Sequence, residues 1–278
     1  MEASKRFPRI CWWLTVALTL LGVSLRSVAM LTCFDAEIGY FAPGILPTLS
    51  DIVYPLAAIA AVVIACLTPK YTLPTKLNDT HRMPAALTMG CALVLFSVLG
   101  FVFCFPALPD KQHMLSELLN FLLRLSPFVL ALPASLYFLL SLRKTGRFSE
   151  ELIRIGFIPV LWSAAGIAET YTDLFTTMNS PVKITLQLGF IGFMFIAMAE
   201  LRFRLGKAAP RLALALLSIG SFLCLSGAIP LILSAFFGKL NSANHIAYAA
   251  VLAVCGLYGG YTLLCYSHQP APKSGALD

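Results

Sequence analysis

Charged residues are scarce in this chain of 278 residues, because Asp, Glu, Lys and Arg together make up only 12% of it. A soluble domain contains about twice that fraction. Hydrophobic residues account for 59% of the sequence, and the mean hydropathy is +0.83. This composition excludes an ordinary water-soluble domain and is typical of a chain that is mostly surrounded by lipid.

Familiar enzyme and metal-site motifs are also absent. The sequence contains no His-Glu-x-x-His, no Gly-x-Ser-x-Gly and no Gly-x-x-x-x-Gly-Lys-Ser/Thr, which are the signatures of zinc proteases, serine hydrolases and nucleotide-binding loops. Its eight cysteines form no Cys-x-x-Cys pair, and its four histidines show no paired ligand spacing. We therefore expect no metal ion, no cofactor and no enzymatic activity, with an unfamiliar intramembrane enzyme left open as an alternative.

Long apolar runs occupy most of the chain. A helix crosses a bilayer core with about 20 residues, and eight segments are long enough to do so. These segments lie near residues 10–31, 49–68, 84–105, 114–141, 152–174, 183–203, 210–236 and 245–266. No connection between them is long enough to fold independently. We predict an all-α protein with one integral membrane domain over residues 1–278, a polytopic transmembrane bundle of eight spans without a soluble domain.

Basic residues indicate the topology, because cytoplasmic segments near span ends retain Lys and Arg. The tails and connections on one side contain most of them: Lys5, Arg6, Arg9, Lys70, Lys76, Arg82, Arg143, Lys144, Arg147, Arg154, Arg202, Arg204, Lys207, Arg211 and Lys273. The opposite connections contain only Lys111, Lys183 and Lys239. Both termini are therefore predicted to be cytoplasmic, in a cell membrane. The net charge of +7 is spread over short segments, which argues against nucleic acid as a partner and favours anionic lipid.

Polar residues inside three spans recur at intervals of three or four positions and so lie on one helix face in each, and a fourth span contributes one polar residue. The stripes are Thr15, Thr19, Gly22 and Arg26 in span one; His113, Glu117, Asn120 and Arg124 in span four; and Trp162, Gly166, Glu169 and Asp173 in span five, with Gln187 in span six. A charge at the bilayer centre costs at least about 2.5 to 3.5 kcal/mol on insertion scales. These stripes are therefore the best evidence for function in the sequence.

The stripes lie at similar depth and are predicted to face one another. The candidate polar cavity, open to the outside, comprises Arg26, Glu117, Asn120, Arg124, Glu169, Asp173 and Gln187. The three acids are candidate counter-ions of the two arginines. Arginine holds a carboxylate or phosphate through two parallel hydrogen bonds, which favours a small anionic ligand. Two alternatives stay open: the acids mark a proton or cation pathway, or the charges are satisfied pairs that fix helix register.

Two other patterns indicate structure. Span eight carries small residues on one face, which lets another helix approach closely: Ala249, Ala253, Gly256 and Gly260. Before span two, Thr48 and Asp51 form a Thr-x-x-Asp helix-start signal, with the Thr48 hydroxyl placed to accept from the first turn. The sequence thus explains Asp51 as part of a helix start and gives no reason to assign it to a functional site.

The connection after span one reads Phe34-Asp35-Ala36-Glu37-Ile38-Gly39-Tyr40-Phe41, with Gly39 suited to a turn of unusual backbone angle. It resembles the Asp-Pro-Glu-Thr-Gly-aromatic stretch after the first span in a large, uncharacterised family of polytopic membrane proteins from anaerobic Gram-positive bacteria. Ile158–Trp162 and Glu200–Phe203 have a similar look, whereas Ala36 and Ile38 replace the family's Pro and Thr. The resemblance implies an architecture of about eight spans and no activity or site residues.

These observations lead to two hypotheses about function. The first is a small-molecule or ion transporter, or the permease-like subunit of one, that uses the polar cavity and draws energy from a gradient or a partner. The second is a membrane sensor, or a scaffold for another membrane protein, whose intramembrane charges are structural. Alternating openings of the cavity would favour the first, and closure on both sides would favour the second.

Overall fold

The computed structural model describes residues 6–68, 79–103, 114–142, 155–173, 176–205 and 209–268. Over these residues the chain forms eight α-helices and one pair of two-residue strands. The helices are α1 Arg6–Thr32, α2 Ile45–Leu67, α3 Asp79–Phe103, α4 Met114–Leu140, α5 Ile158–Thr172, α6 Pro181–Arg204, α7 Pro210–Phe236 and α8 Ala243–His268. Strands β1 Phe34–Asp35 and β2 Tyr40–Phe41 pair in antiparallel register between α1 and α2.

Seven of these helices are long and apolar enough to cross a membrane, and α5 is the exception. With 15 residues, α5 is about 22 Å long, which is short of a hydrocarbon core of about 30 Å. The exposed side of α2 is apolar, with Ile52, Leu56, Ile59 and Val63 on its surface. The all-α bundle is confirmed, and the apolar helices support a multi-pass membrane protein. The eighth span and the sides of the termini stay predictions.

The helix α7 is central, since it packs against α1, α2, α6 and α8. A series of neighbouring pairs, α3 with α4, α4 with α5 and α5 with α6, continues the bundle, and α8 closes it against α3. At the crossing of α6 and α7, an added Cβ at Gly220 would lie 2.5 Å from the carbonyl oxygen of Gly192. Only glycine permits this backbone approach.

The small α5 helix is held by its aromatic neighbours. The fully buried ring of Trp162 has its centroid 5.9 Å from that of Phe96, 5.5 Å from Phe190 and 5.3 Å from Phe193. Its indole N–H donates to the carbonyl oxygen of Pro127 at 2.9 Å. The first residue of the predicted stripe on this helix is therefore a core residue. The helix face that carries the stripe is directed toward α4, α6 and the interior of the bundle.

The small residues of α8 have different surroundings along the helix. Ala249 is fully buried, and Ala253 is partly buried against the main core. An added Cβ at Gly256 would lie 2.6 Å from the Leu225 side chain of α7, whereas one at Gly260 would have nothing within 4 Å. Of the two predicted glycines, only Gly256 lies at a close approach to α7.

Candidate functional site

Arg26, near the end of α1, links three helices through its guanidinium group although it is only 3% exposed. Its Nη1 donates to Asp51 Oδ1 at 2.7 Å and to Ser50 Oγ at 3.1 Å, both in α2. Its Nη2 donates to Thr185 Oγ1 at 2.8 Å and to the carbonyl oxygen of Pro181 at 3.4 Å, both in α6. The cost of burying this cation is offset by one ion pair and three further hydrogen bonds.

The partner of Arg26 differs from the sequence-based expectation. Its counter-ion among the described residues is Asp51 and not Glu169 or Asp173 of the fifth span, so that pairing was wrong. The helix-start signal was also wrong, because α2 begins at Ile45 with Gly44 as its N-cap and no side-chain cap. The Thr48 hydroxyl instead donates to the carbonyl oxygen of Gly44 at 3.1 Å. Asp51 therefore lies in the second turn of α2, where it reaches α1.

Beside this ion pair lies a pocket of about 450 Å³, within the range of about 300 to 1,000 Å³ that is usual for small-molecule sites. Its charged lining residues are Arg26 and Asp51, and its aromatic ones are Tyr40, Phe41 and Tyr54. The remaining lining residues are Ala42, Pro43, Gly44, Pro47, Thr48, Asn179, Pro181, Ile184 and Leu188. The guanidinium carbon of Arg26 is 4.9 Å from the centre of the Phe41 ring.

Two connections meet at this end of the bundle. The Tyr40 hydroxyl, between α1 and α2, donates to the carbonyl oxygen of Met178, between α5 and α6. Gly39 has a positive φ of 78°, which confirms the expected turn, and an added Cβ there would lie 2.6 Å from Thr177 Oγ1. The hairpin β1–β2 is therefore held against the α5–α6 connection, next to the pocket.

A proline in α7 fixes one wall of the pocket. Pro230 has no N–H, so the carbonyl oxygen of Ser226 one turn earlier loses its intrahelical donor. The Tyr54 hydroxyl of α2 donates to that oxygen at 3.2 Å. The Tyr54 ring is thereby anchored at its far end, while its face lines the pocket and its centre is 6.0 Å from the Arg26 guanidinium carbon.

The ion pair leaves one guanidinium donor without a partner among the described residues. The Nε–H of Arg26 is buried and makes no hydrogen bond to any residue that the structure describes. Asp51 uses Oδ1 for Arg26, and its side chain is 65% exposed. A buried N–H without a partner costs about 1 to 3 kcal/mol. The pocket therefore has an accessible carboxylate at Asp51, and the ion pair that lines it has a formal charge of zero.

A second group of charges lies between α5 and α8. Glu169 of α5 is buried, and its electrostatic neighbours are Tyr248 and His245 of α8, Asp173, and Arg124 of α4. The Asp173 carboxylate is at the end of α5, and its Oδ2 is 3.5 Å from His245 Nε2. Titratable side chains from three helices are thus brought together within the bundle.

Lys183 connects this second group to the pocket. It is buried in the first turn of α6, and its Nζ donates to the backbone carbonyl oxygen of Asp173. On either side of it along the chain, Pro181 and Thr185 supply the carbonyl and hydroxyl oxygens that bind Arg26. The first turns of α6 therefore contact both groups of charges, so a movement of this helix end would affect both.

The predicted cavity residues are thus divided between two places. Arg26 lies in the pocket, and a separate group consists of Arg124, Glu169 and Asp173. Gln187 is half-buried in α6, and Asn120 is exposed on α4. The side chain of Glu117 lies outside the described residues. These residues therefore do not line a single described pocket.

The sequence-based prediction did not include Asp51, Tyr54 or Thr185 among the site residues, although all three contact or surround Arg26. Asp51 was attributed to a helix start, and Tyr54 is a common residue near a membrane interface. One feature of the sequence could have indicated this pairing. Asp51 and Arg26 lie equally far along their helices from the connection that joins them, so they are expected at the same depth in the membrane.

The opposite end of the bundle contains another buried acid. Glu200 near the end of α6 is 3.3 Å from Arg204 Nη2, and it accepts a hydrogen bond from the Tyr258 hydroxyl of α8. The Arg204 guanidinium carbon is 5.8 Å from the centre of the Tyr137 ring. A cation in the last turn also complements the helix dipole. This group ties α6 to α4 and α8.

No group of three or more His, Cys, Asp or Glu side chains that could hold a metal ion occurs within the described ranges. Comparisons of the chain with protein-family models, with curated proteins and with solved structures find no match. They give no support to the resemblance noted after span one. The geometry of the site is therefore the basis for assigning a function.

Proposed function

We propose that this chain is a multi-pass protein of a bacterial cell membrane that binds a small polar solute beside Arg26 and Asp51 and transports it. The observation that carries the proposal is a pocket of about 450 Å³ that contains a buried guanidinium group with an unpaired Nε–H. Ionisable residues within membrane bundles are costly and commonly mark ligand or ion pathways. The proposal includes no catalytic residue and no cofactor.

The second group of charges supports a gradient as the energy source. The sequence contains no nucleotide-binding motif, so the chain would have to use an ion or proton gradient or a partner. Glu169, Asp173 and His245 are titratable and lie close together. Lys183 connects them to the end of α6 that binds Arg26. Under this proposal, a change of protonation at Glu169 or Asp173 is coupled to solute binding through α6.

A second candidate function has its own support. Of the five N–H groups of the Arg26 guanidinium, four donate to protein oxygens, in α2 and α6. The alternative is a membrane sensor or scaffold in which this ion pair mainly fixes the register of three helices. A scaffold would bind another membrane protein and would need no solute.

The test is a screen of the purified protein in detergent for thermal stabilisation by amino acids, nucleosides, organic anions and metal ions. Arg26→Lys keeps a cation but loses the planar fork, and Arg204→Lys makes the same change at the opposite end. A compound that stabilises the parent and Arg204→Lys proteins, but not Arg26→Lys, supports the pocket as a solute site.

Hits are then tested for uptake into proteoliposomes with and without an imposed pH gradient. Uptake that depends on Arg26 supports a transporter, and stimulation by the gradient supports the coupling role of the second group. Stabilisation without uptake supports a sensor. If no compound stabilises the protein and Arg26→Lys strongly lowers its melting temperature, the charges are structural and the transporter proposal is rejected.

A further inference from the structure

We infer, on the basis of the proposed function, that the pocket takes a zwitterion, a small molecule or group that carries one anionic and one cationic centre on an apolar or aromatic body. This chemistry is shared by a free neutral amino acid and by the headgroup of a zwitterionic lipid. It differs from the anionic ligand that the two arginines of the sequence favoured, because Arg124 lies outside the pocket lining.

The two charged residues that line the pocket balance each other. The 2.7 Å contact between Arg26 and Asp51 makes the pocket formally neutral. An anion alone would compete with Asp51 for the guanidinium group, and a cation alone would compete with Arg26 for the carboxylate. Either would leave a net charge in a bundle surrounded by lipid, where charge is costly. A zwitterion interacts with both partners and keeps the pocket neutral.

The Arg26 guanidinium and the start of α2 are the two features of the pocket that attract an anionic centre. The Nε–H of Arg26 is buried and has no partner among the described residues, so the guanidinium keeps one unused donor for an anionic centre that reaches it. The first turn of α2 also lines the pocket, at Thr48, and its partial positive charge favours an anion. The N-cap of α2, Gly44, has no side chain to occupy its first amides.

The cationic centre has a separate place in the same pocket. The Asp51 side chain is 65% exposed and has one carboxylate oxygen that Arg26 does not use. The rings of Tyr40 and Phe41 line the same space, and an aromatic face attracts an ammonium group. Since Ile184 and Leu188 add apolar lining, the body between or beside the two charges is expected to be apolar.

The experiment compares three molecules of nearly the same shape that differ in charge. L-phenylalanine carries both charges, 3-phenylpropionate only the anion and 2-phenylethylammonium only the cation. Binding to the full-length protein in detergent is measured by equilibrium binding and thermal shift, with the other neutral L-amino acids and glycerophosphoethanolamine as additional probes. We expect a zwitterionic probe to bind at least about tenfold more tightly than its single-charge analogues, since each analogue lacks one charged hydrogen bond.

The probes also distinguish the two sources of zwitterions. Binding of a neutral amino acid, lost in Arg26→Lys, identifies a free solute. Binding of glycerophosphoethanolamine alone, again lost in Arg26→Lys, identifies a lipid headgroup. Either result supports the inference.

Asp51→Asn gives the sharpest test, because it removes the negative charge and keeps an oxygen for Arg26. Because this variant removes the counter-ion of the buried Arg26, its melting temperature is measured beside that of the parent to verify that it folds. We expect the variant to weaken phenylalanine binding and to strengthen binding of 3-phenylpropionate, which reverses the preference. Glu37→Gln is the matched control, because it removes an exposed carboxylate from the neighbouring α1–α2 connection, outside the pocket lining. The control is expected to retain the parent preference.

Other outcomes overturn the inference. If 3-phenylpropionate binds as tightly as phenylalanine, and if Asp51→Asn leaves the ratio of their dissociation constants unchanged, the pocket takes anions. The proposed function still stands in that case. The same conclusion holds if no zwitterion binds while a nucleoside or organic anion binds in an Arg26-dependent manner. If no compound of any class binds in that manner, the inference and the proposed solute site both fail.

Discussion

Arg26 of α1 and Asp51 of α2 form an ion pair at equal depth in two neighbouring helices. Arg26 lies six residues before the end of α1 at Thr32, and Asp51 lies six residues after the start of α2 at Ile45. Their environments differ, because Arg26 is 3% exposed and Asp51 is 65% exposed. The two partners therefore have unequal effects on stability, since only Arg26 is buried within the bundle.

The first prediction concerns this asymmetry. Asp51→Ala leaves a buried cation without its counter-ion, and we expect it to lower the free energy of unfolding by about 1 to 3 kcal/mol. Adding Arg26→Leu to this variant removes the unpaired cation. The double variant is therefore expected to be more stable than the sum of the two single changes, by about 0.5 to 3 kcal/mol. Reversible unfolding in mixed detergent measures the cycle, and strict additivity would contradict the coupling.

The second prediction concerns the buried acid at the opposite end. Tyr258→Phe removes the hydroxyl that donates to Glu200, and a hydrogen bond to a charged group is worth about 1.5 to 3 kcal/mol. We expect a lower melting temperature for this variant. Tyr171→Phe is the control, because Tyr171 is exposed at the bundle surface. Equal melting temperatures for the two variants would show that the Tyr258 hydroxyl contributes nothing to stability.

The third prediction concerns the crossing of α6 and α7. Gly220→Ala would place a Cβ 2.5 Å from the backbone oxygen of Gly192, and two helix backbones must separate to admit it. We expect a loss of about 1 to 3 kcal/mol, as is usual for overpacking. Gly260→Ala adds the same methyl group where nothing lies within 4 Å, and it should not lower the melting temperature, because alanine favours a helix over glycine. A tolerated Gly220→Ala would mean that this crossing is less close than described.

The fourth prediction concerns topology. In a background without native cysteines, Glu37→Cys and Met178→Cys should be labelled from the same side of the membrane, because Tyr40 binds Met178. Leu205→Cys follows the other end of α6 and should be labelled from the opposite side. Lys144→Cys, outside the described residues, should be labelled together with Leu205→Cys. Labelling of Lys144→Cys together with Met178→Cys would show that α5 does not cross the membrane.

The helices themselves were largely predictable from sequence. The seventh apolar run, residues 210–236, coincides with α7 Pro210–Phe236, and the fourth, residues 114–141, differs from α4 Met114–Leu140 by one residue. The fifth run was expected over residues 152–174, whereas α5 is described as Ile158–Thr172. Pro159 near its start suits the first turn of a helix. Apolar length alone does not reveal where such a helix begins.

The site was predictable only in part. A charge within an apolar run, such as Arg26, can be recognised from sequence because its desolvation is costly wherever the helix packs. Asp51 could not be recognised in the same way, because an acid near a helix start is ordinary. The expected counter-ions on spans four and five belong to a separate group around Glu169 and His245.

The sequence by itself determined that this is a helical bundle rich in apolar surface and that a few charges within it need partners. Both are properties of residue order, since hydrophobic length and the cost of a buried charge do not depend on which helix lies next to which. Only the tertiary structure decided the partners. Close contact at Gly192 and Gly220 sets how α6 lies against α7, and the resulting helix rotations direct Thr185 toward Arg26. Rotation about the helix axis is a consequence of packing, and it decides which charges meet.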